Sequence, residues 1–158
     1  IQARIFSMFA GREDSSISYR YNVYNSAWQM FADNPVFGIG PGNGTFKLVY
    51  GLYMVPGYNA LGAYSVPLEI AVEQGIVGVV IFFLLLAVLK FRAIMLIDGE
   101  RPLPEKIIGM LLFTGIVGSF IYGVFDTIWY RPAVNLLFWF FVAGLAVYTE
   151  NGFGGRRS

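Results

Sequence analysis

The sequence contains no cysteine and no histidine. The first absence excludes disulfides and thiolate metal sites. The second removes the commonest metal ligand and the commonest general base. Charge is scarce too: 13% of residues are Asp, Glu, Lys or Arg, against about 25% in soluble domains. The formal net charge is only +1, and no basic patch points to nucleic acid. No metal and no cofactor are expected. What the chain has in excess is apolar surface, with 56% hydrophobic and 18% aromatic residues.

That surface is concentrated in three runs. Residues 66–89 form the first, and from Ile76 to its end no side chain is polar. Residues 107–125 carry no charge, and 133–149 have Asn135 as their only strongly polar side chain. A helix needs about 17–25 apolar residues to cross a bilayer, and backbone groups in lipid must be satisfied within the segment. The expected fold is therefore all-α, a polytopic protein with three transmembrane helices, the first of them continuous. The chain begins at Ile1 without a methionine. It reads as a fragment, the C-terminal portion of a larger protein.

Lys and Arg in short loops set orientation. Lys90, Arg92, Arg101 and Lys106 lie between the first two spans, and Arg156 and Arg157 follow the third. The 126–132 loop holds only Arg131. Loop 90–106 and the tail 151–158 are expected in the cytoplasm. Residues 1–65 are expected outside, on a plasma (inner) membrane protein. Trp129 and Tyr130 suit an interfacial aromatic belt. Gly115, Ser119 and Gly123 form a small-residue stripe read as helix packing, and Gly75 and Gly78 invite the same reading.

Residues 1–65 form an outer segment. Asp14, Ser15 and Ser16 offer helix N-cap chemistry. Arg20, Tyr24, Trp28 and Phe31 then recur at three or four positions, and Asp33, Asn34 and Pro35 end the pattern. The expected product is an amphipathic helix on the membrane surface. GIGPGNG, at 38–44, lacks the spacing of a dinucleotide loop. It reads either as a turn needing glycine backbone angles or as a nest of N–H groups facing an anion. The rest, up to the first span, reads as irregular.

Several polar groups are expected at one membrane surface: Arg20, Lys47, Tyr64, Glu69, Glu73, Asp126 and Arg131. Glu69 and Glu73 are four apart and share a helix face. Carboxylates in a membrane segment are functional candidates by default. Arginine binds oxyanions through forked hydrogen bonds. Arg20, Arg131 and Lys47 are thus candidate substrate-binding residues. Tyr64, Glu69 and Glu73 are candidate catalytic residues. Each has a plainer reading. Arg20 can snorkel, Arg131 can pair with Asp126, Glu73 can serve in a structural bond, Glu69 can be solvated, and Tyr64 can anchor at the interface.

Arg20, Trp28 and the stretch NPVFGIGPGNGTF (34–46) resemble the O-antigen ligase and polymerase superfamily. So does the spacing Tyr64, Ser65, nine residues, Gly75, two residues, Gly78, Val79. In that family a histidine stands at the position of Tyr64 and a threonine at that of Val79. The resemblance implies glycosyl transfer from a glycan on a lipid diphosphate, with Arg20 against the diphosphate. Tyrosine, with a reference pKa of about 10, is a poor base near neutrality. Glu69 or Glu73 would then have to supply one. The phrases YMVPGYNALGAYSVPLEIAVEQGIVG and FDTIWYRPAVN are similar to a narrower branch (IctB), named for bicarbonate transport. That likeness implies a transporter, or a transport accessory, for inorganic carbon. The expected partners are therefore membrane lipids and either a lipid-linked glycan or bicarbonate.

Overall fold

The computed structural model describes residues 2–128 and 130–154, with side chains for 16–128 and 130–150. Trp129, Arg156 and Arg157 lie outside the described residues. Five helices follow in order: α1 (Gln2–Asp33), α2 (Asn43–Tyr53), α3 (Val66–Asp98), α4 (Leu103–Val124) and α5 (Pro132–Gly154). No strand occurs among the described residues. α3, α4 and α5 are long and apolar enough to cross a membrane.

Two boundaries differ from the sequence reading. α1 does not start at Asp14–Ser16 but runs on from Gln2. No proline interrupts residues 2–13, so three residues with capping chemistry do not stop a helix that its neighbours continue. α2 falls where an irregular segment was expected. Its signal is present: Phe46, Val49, Tyr50 and Tyr53 keep the i, i+3, i+4, i+7 spacing of one helix face.

The chain forms two compact units, Ile1–Gly78 and Val79–Ser158. In the first, Val23, Ala27 and Met30 of α1 pack with Phe46 and Tyr50 of α2, Ala60, Ala63 and Val72. The α1 positions again follow i, i+4, i+7, and small Ala27 with buried Ser26 fits close packing. The Ser26 hydroxyl donates to the Tyr53 carbonyl at 3.0 Å. Phe46 and Tyr50 stack 5.5 Å apart, and burying such side chains contributes roughly 1.5–3 kcal/mol each. Trp28 is exposed, as are Ile17 and Tyr21.

The most consequential departure concerns the first span. Gly75, at φ 65° and ψ −163°, breaks the regular helix of α3. In an unbroken helix the Ile76 and Val77 amides would donate to Val72 and Glu73. Instead they donate to the carbonyls of Pro35 (2.8 Å) and Val36 (3.4 Å). The Val72 and Glu73 carbonyls accept from the amides of Ile39 and Gly40, both at 2.9 Å. Loop 35–40 is thus spliced into the helix, and these four backbone groups freed by the break are satisfied. Glycine is required on both sides. A methyl group at Gly75 would lie 2.2 Å from the Val36 oxygen, and one at Gly38 would lie 2.4 Å from the Glu73 carbonyl carbon.

The break divides α3 into a short arm, 66–74, and a long arm, 76–98. Both carboxylates, Glu69 and Glu73, sit on the short arm. The long arm measures roughly 34 Å at about 1.5 Å per residue, enough for the ~30 Å hydrocarbon layer.

In the second unit, Leu89, Ala93, Leu96, Ile116, Phe138 and Leu145 form the core. Gly115 of α4 faces the ring of Phe141 on α5, where a methyl group would lie 2.7 Å away. Ser119 turns back to the Gly115 carbonyl at 2.8 Å, and Gly123 is buried. These contacts match the packing role read for the stripe. Many large apolar side chains of α3, α4 and α5 are exposed, as suits helices that face lipid.

Candidate functional site

Tyr64 is held by its surroundings in a conformation few residues adopt. Its φ of 50° is the only positive value among the described non-glycine residues, and such angles are uncommon outside glycine. Buried Ala63 and Val66 flank it. The Tyr24 hydroxyl donates to the Tyr64 carbonyl at 3.1 Å. The backbone is therefore fixed from α1 and by the core, and the half-buried ring packs against the core of the first unit.

Arg20 lies against that ring. Its guanidinium carbon is 5.8 Å from the Tyr64 centroid, within the range at which a cation is attracted by an aromatic face. Arg20 is exposed. Tyr19 approaches Tyr64 edge-on, with centroids 6.0 Å apart, and Tyr58 at 5.9 Å. The Tyr19 hydroxyl donates to the Asn59 carbonyl. Burial, then hydrogen bonding and proximity to Tyr64, push the Tyr19 phenol up to about 12. The Tyr50 hydroxyl donates to the Tyr58 carbonyl at 2.8 Å, which ties the 54–65 segment to α2. The result is a guanidinium set on a wall of tyrosines. Such a surface can hold an anion by the cation and a ring-shaped group by the aromatic faces.

The two carboxylates behave differently. Glu73, 8% exposed, accepts from the amide of Gly42 at 3.0 Å. Gly42 is the N-cap residue of α2, so this carboxylate sits where helix N–H groups and the helix dipole favour negative charge. The loop does meet a carboxyl group through one amide, and that group is the protein's own Glu73 side chain. Glu69 is 4% exposed, which rules out the solvated reading. Its amide donates to the Ser65 carbonyl at 2.8 Å, placing it one turn after Ser65.

The structure brings Arg20 and Tyr64 together and places Glu69 and Glu73 on the arm that follows Tyr64. Lys47 is exposed on α2, beside buried Phe46. Arg131 belongs to the second unit, where it pairs with Asp126 at 3.0 Å, and Tyr122 donates to the same carboxylate at 3.0 Å. Among the described residues, no three Asp or Glu side chains gather as a metal site.

Tyr19, Tyr58 and Asn59 escaped the sequence reading as site residues, and Tyr24 was read only as part of a helix face. Their signal is compositional. Tyrosines at 19, 21, 24, 50, 53, 58 and 64 are most of the chain's ten, but no single helical or strand period links the whole set.

A family model described as O-antigen ligase matches residues 1–83. The match takes in the whole first unit, with the tyrosine wall, the spliced loop and Gly75. No curated protein matches. No solved structure matches.

Proposed function

The chain belongs to the O-antigen ligase family, and on that premise we propose that it binds a glycan carried on a lipid diphosphate and takes part in its transfer. The site is the Arg20–Tyr64 surface, at the outer face of the membrane. Arg20 contacts the diphosphate, because a guanidinium recognises tetrahedral oxyanions by forked hydrogen bonds. Exposed Lys47 adds positive charge. The faces of Tyr19, Tyr58 and Tyr64 take the sugar.

In the transfer, an acceptor hydroxyl attacks the anomeric carbon. The bond from that carbon to the diphosphate oxygen breaks, the lipid diphosphate leaves, and the hydroxyl proton passes to a carboxylate. Glu69 serves as that base, being the nearer of the two carboxylates to Tyr64 along the arm. Tyr64 positions the cation and is not the base.

One observation carries this reading: the Arg20 guanidinium lies 5.8 Å over Tyr64, at the position where the family has histidine. The likeness of residues 53–78 to the IctB branch favours a second reading, bicarbonate transport. An open aromatic wall suits a sugar better than a small planar anion. The two are separated in liposomes containing the protein. Consumption of a labelled lipid-diphosphate glycan, abolished by Arg20→Ala, is the expected result. Bicarbonate uptake that depends on Arg20, with no glycan consumed, would replace the first reading by the second.

A further inference from the structure

The loop spliced into α3 has an apolar tip. Val36 is 49% exposed and Phe37 is 76% exposed. Exposed apolar residues that cluster, unlike ones scattered singly, mark an interaction surface. The tip is not free to wander. The Pro35 and Val36 carbonyls accept from Ile76 and Val77, the first two residues of the apolar run that reaches to Leu89. Ile76 and Val77 are themselves exposed apolar residues. The tip is thus fastened by its backbone to the first turn of a membrane span.

Irregular backbone does not occur exposed to the hydrocarbon itself, and close to it the backbone's polar groups need partners. Here much of that requirement is met. The Pro35 and Val36 carbonyls and the Ile39 and Gly40 amides are bonded to α3, and the Gly38 amide is bonded to the Asn34 carbonyl at 3.0 Å. Pro35 has no N–H to satisfy. The loop can therefore sit at the interface with these groups paired, while the side chains of its tip reach the acyl chains.

We infer that Val36 and Phe37 form a wedge inserted into the lipid at the head of the first span, with the boundary between headgroups and acyl chains as its partner. Continuity commits the tip to lipid, because Ile76 and Val77, to which its backbone is bonded, are exposed and open the apolar run of the span. The wedge would hold the spliced loop at the depth where a lipid-linked substrate has its diphosphate.

The chain has no cysteine, so single cysteines can be spin-labelled without background. Phe37→Cys is labelled in the full chain, reconstituted in phosphatidylcholine–phosphatidylglycerol liposomes. Collision with oxygen is compared with collision with a water-soluble nickel chelate. Ile81→Cys supplies the lipid reference and Glu100→Cys the water reference. The wedge predicts oxygen-dominated collisions at 37 and a depth roughly 5–10 Å below the headgroup boundary. Val36→Cys should read the same and covers the case in which the first variant fails to fold. Nickel collisions at 37 matching those at Glu100 would overturn the proposal. So would low access to both reagents, which would mean that protein, either a second copy or another segment, covers the tip.

Discussion

Replacing Gly75 by alanine asks whether loop 35–40 and the break in α3 sustain each other. At φ 65° and ψ −163°, Gly75 occupies a region that is essentially glycine-only, where another residue is strained by about 1–3 kcal/mol. The new methyl group would also meet the Val36 oxygen at 2.2 Å. Backbone lies on both sides, so little relief is available. The variant has an alternative. Without the splice, Ile76 and Val77 can donate to Val72 and Glu73 and complete the helix, and alanine favours helix over glycine by about 1 kcal/mol. The balance moves toward the continuous helix by roughly 2–4 kcal/mol, a factor of roughly 30–700. Amide hydrogen exchange on the protein in nanodiscs reads this directly. Ile39 and Gly40 should lose protection by about that factor. Ile76 and Val77 should stay protected, because they only change acceptors. Unaltered protection at Ile39 and Gly40 would refute the reasoning. Loss at all four would indicate general unfolding and not an exchange of partners.

Other consequences concern the site. Glu73→Gln keeps an acceptor for the Gly42 amide and loses only the charge at the α2 N-terminus, costing roughly 0.3–1 kcal/mol. Glu73→Ala loses the bond as well, with a cap-like cost of about 0.5–2 kcal/mol. Thermal unfolding in detergent should rank the three proteins, and equal midpoints would remove Glu73 from this role. In a transfer assay Glu69→Gln should be inactive while Glu73→Gln works, and the reverse pattern would exchange their roles. Tyr19 should be a late-ionising phenol. Its folded value of about 12 lies above the ordinary 10.0 of a phenol, so its contribution to stability is complete below pH 10 and lost as pH rises toward 12. An ultraviolet titration of Tyr19→Phe should lack that late step, and an unchanged titration would contradict the assignment.

Much of the fold was legible because spans announce themselves. Long apolar runs leave helices as the economical solution, and the packing of Gly115 follows from its spacing to Ser119 and Gly123. The break at Gly75 was harder. Within the apolar run a glycine reads as a packing residue, and only the approach of residues 35–38, distant in sequence, shows why it must be glycine. The G-x-x-G spacing of the family motif acquires a mechanical meaning here. Gly75 admits the Val36 backbone, and a methyl group at Gly78 would lie 2.3 Å from Gln74 Cβ. α2 was readable from Phe46, Val49, Tyr50 and Tyr53, but four glycines from 38 to 44 drew attention to a loop. The Arg20–Tyr64 contact joins residues on α1 and in the 54–65 segment, and no local period encodes such a meeting. Arg131 shows the opposite case. Its partner Asp126 lies in the same short loop, so sequence proximity already indicated the pair.

The most direct test is the binding of a polyprenyl diphosphate by the reconstituted protein and by Arg20→Ala and Arg20→Lys. Losing hydrogen bonds from a charged group costs about 1.5–3 kcal/mol, so Arg20→Ala should bind roughly 10- to 150-fold more weakly. Arg20→Lys should recover only part of that, since a point charge lacks the fork. Equal affinity in all three proteins would contradict the account.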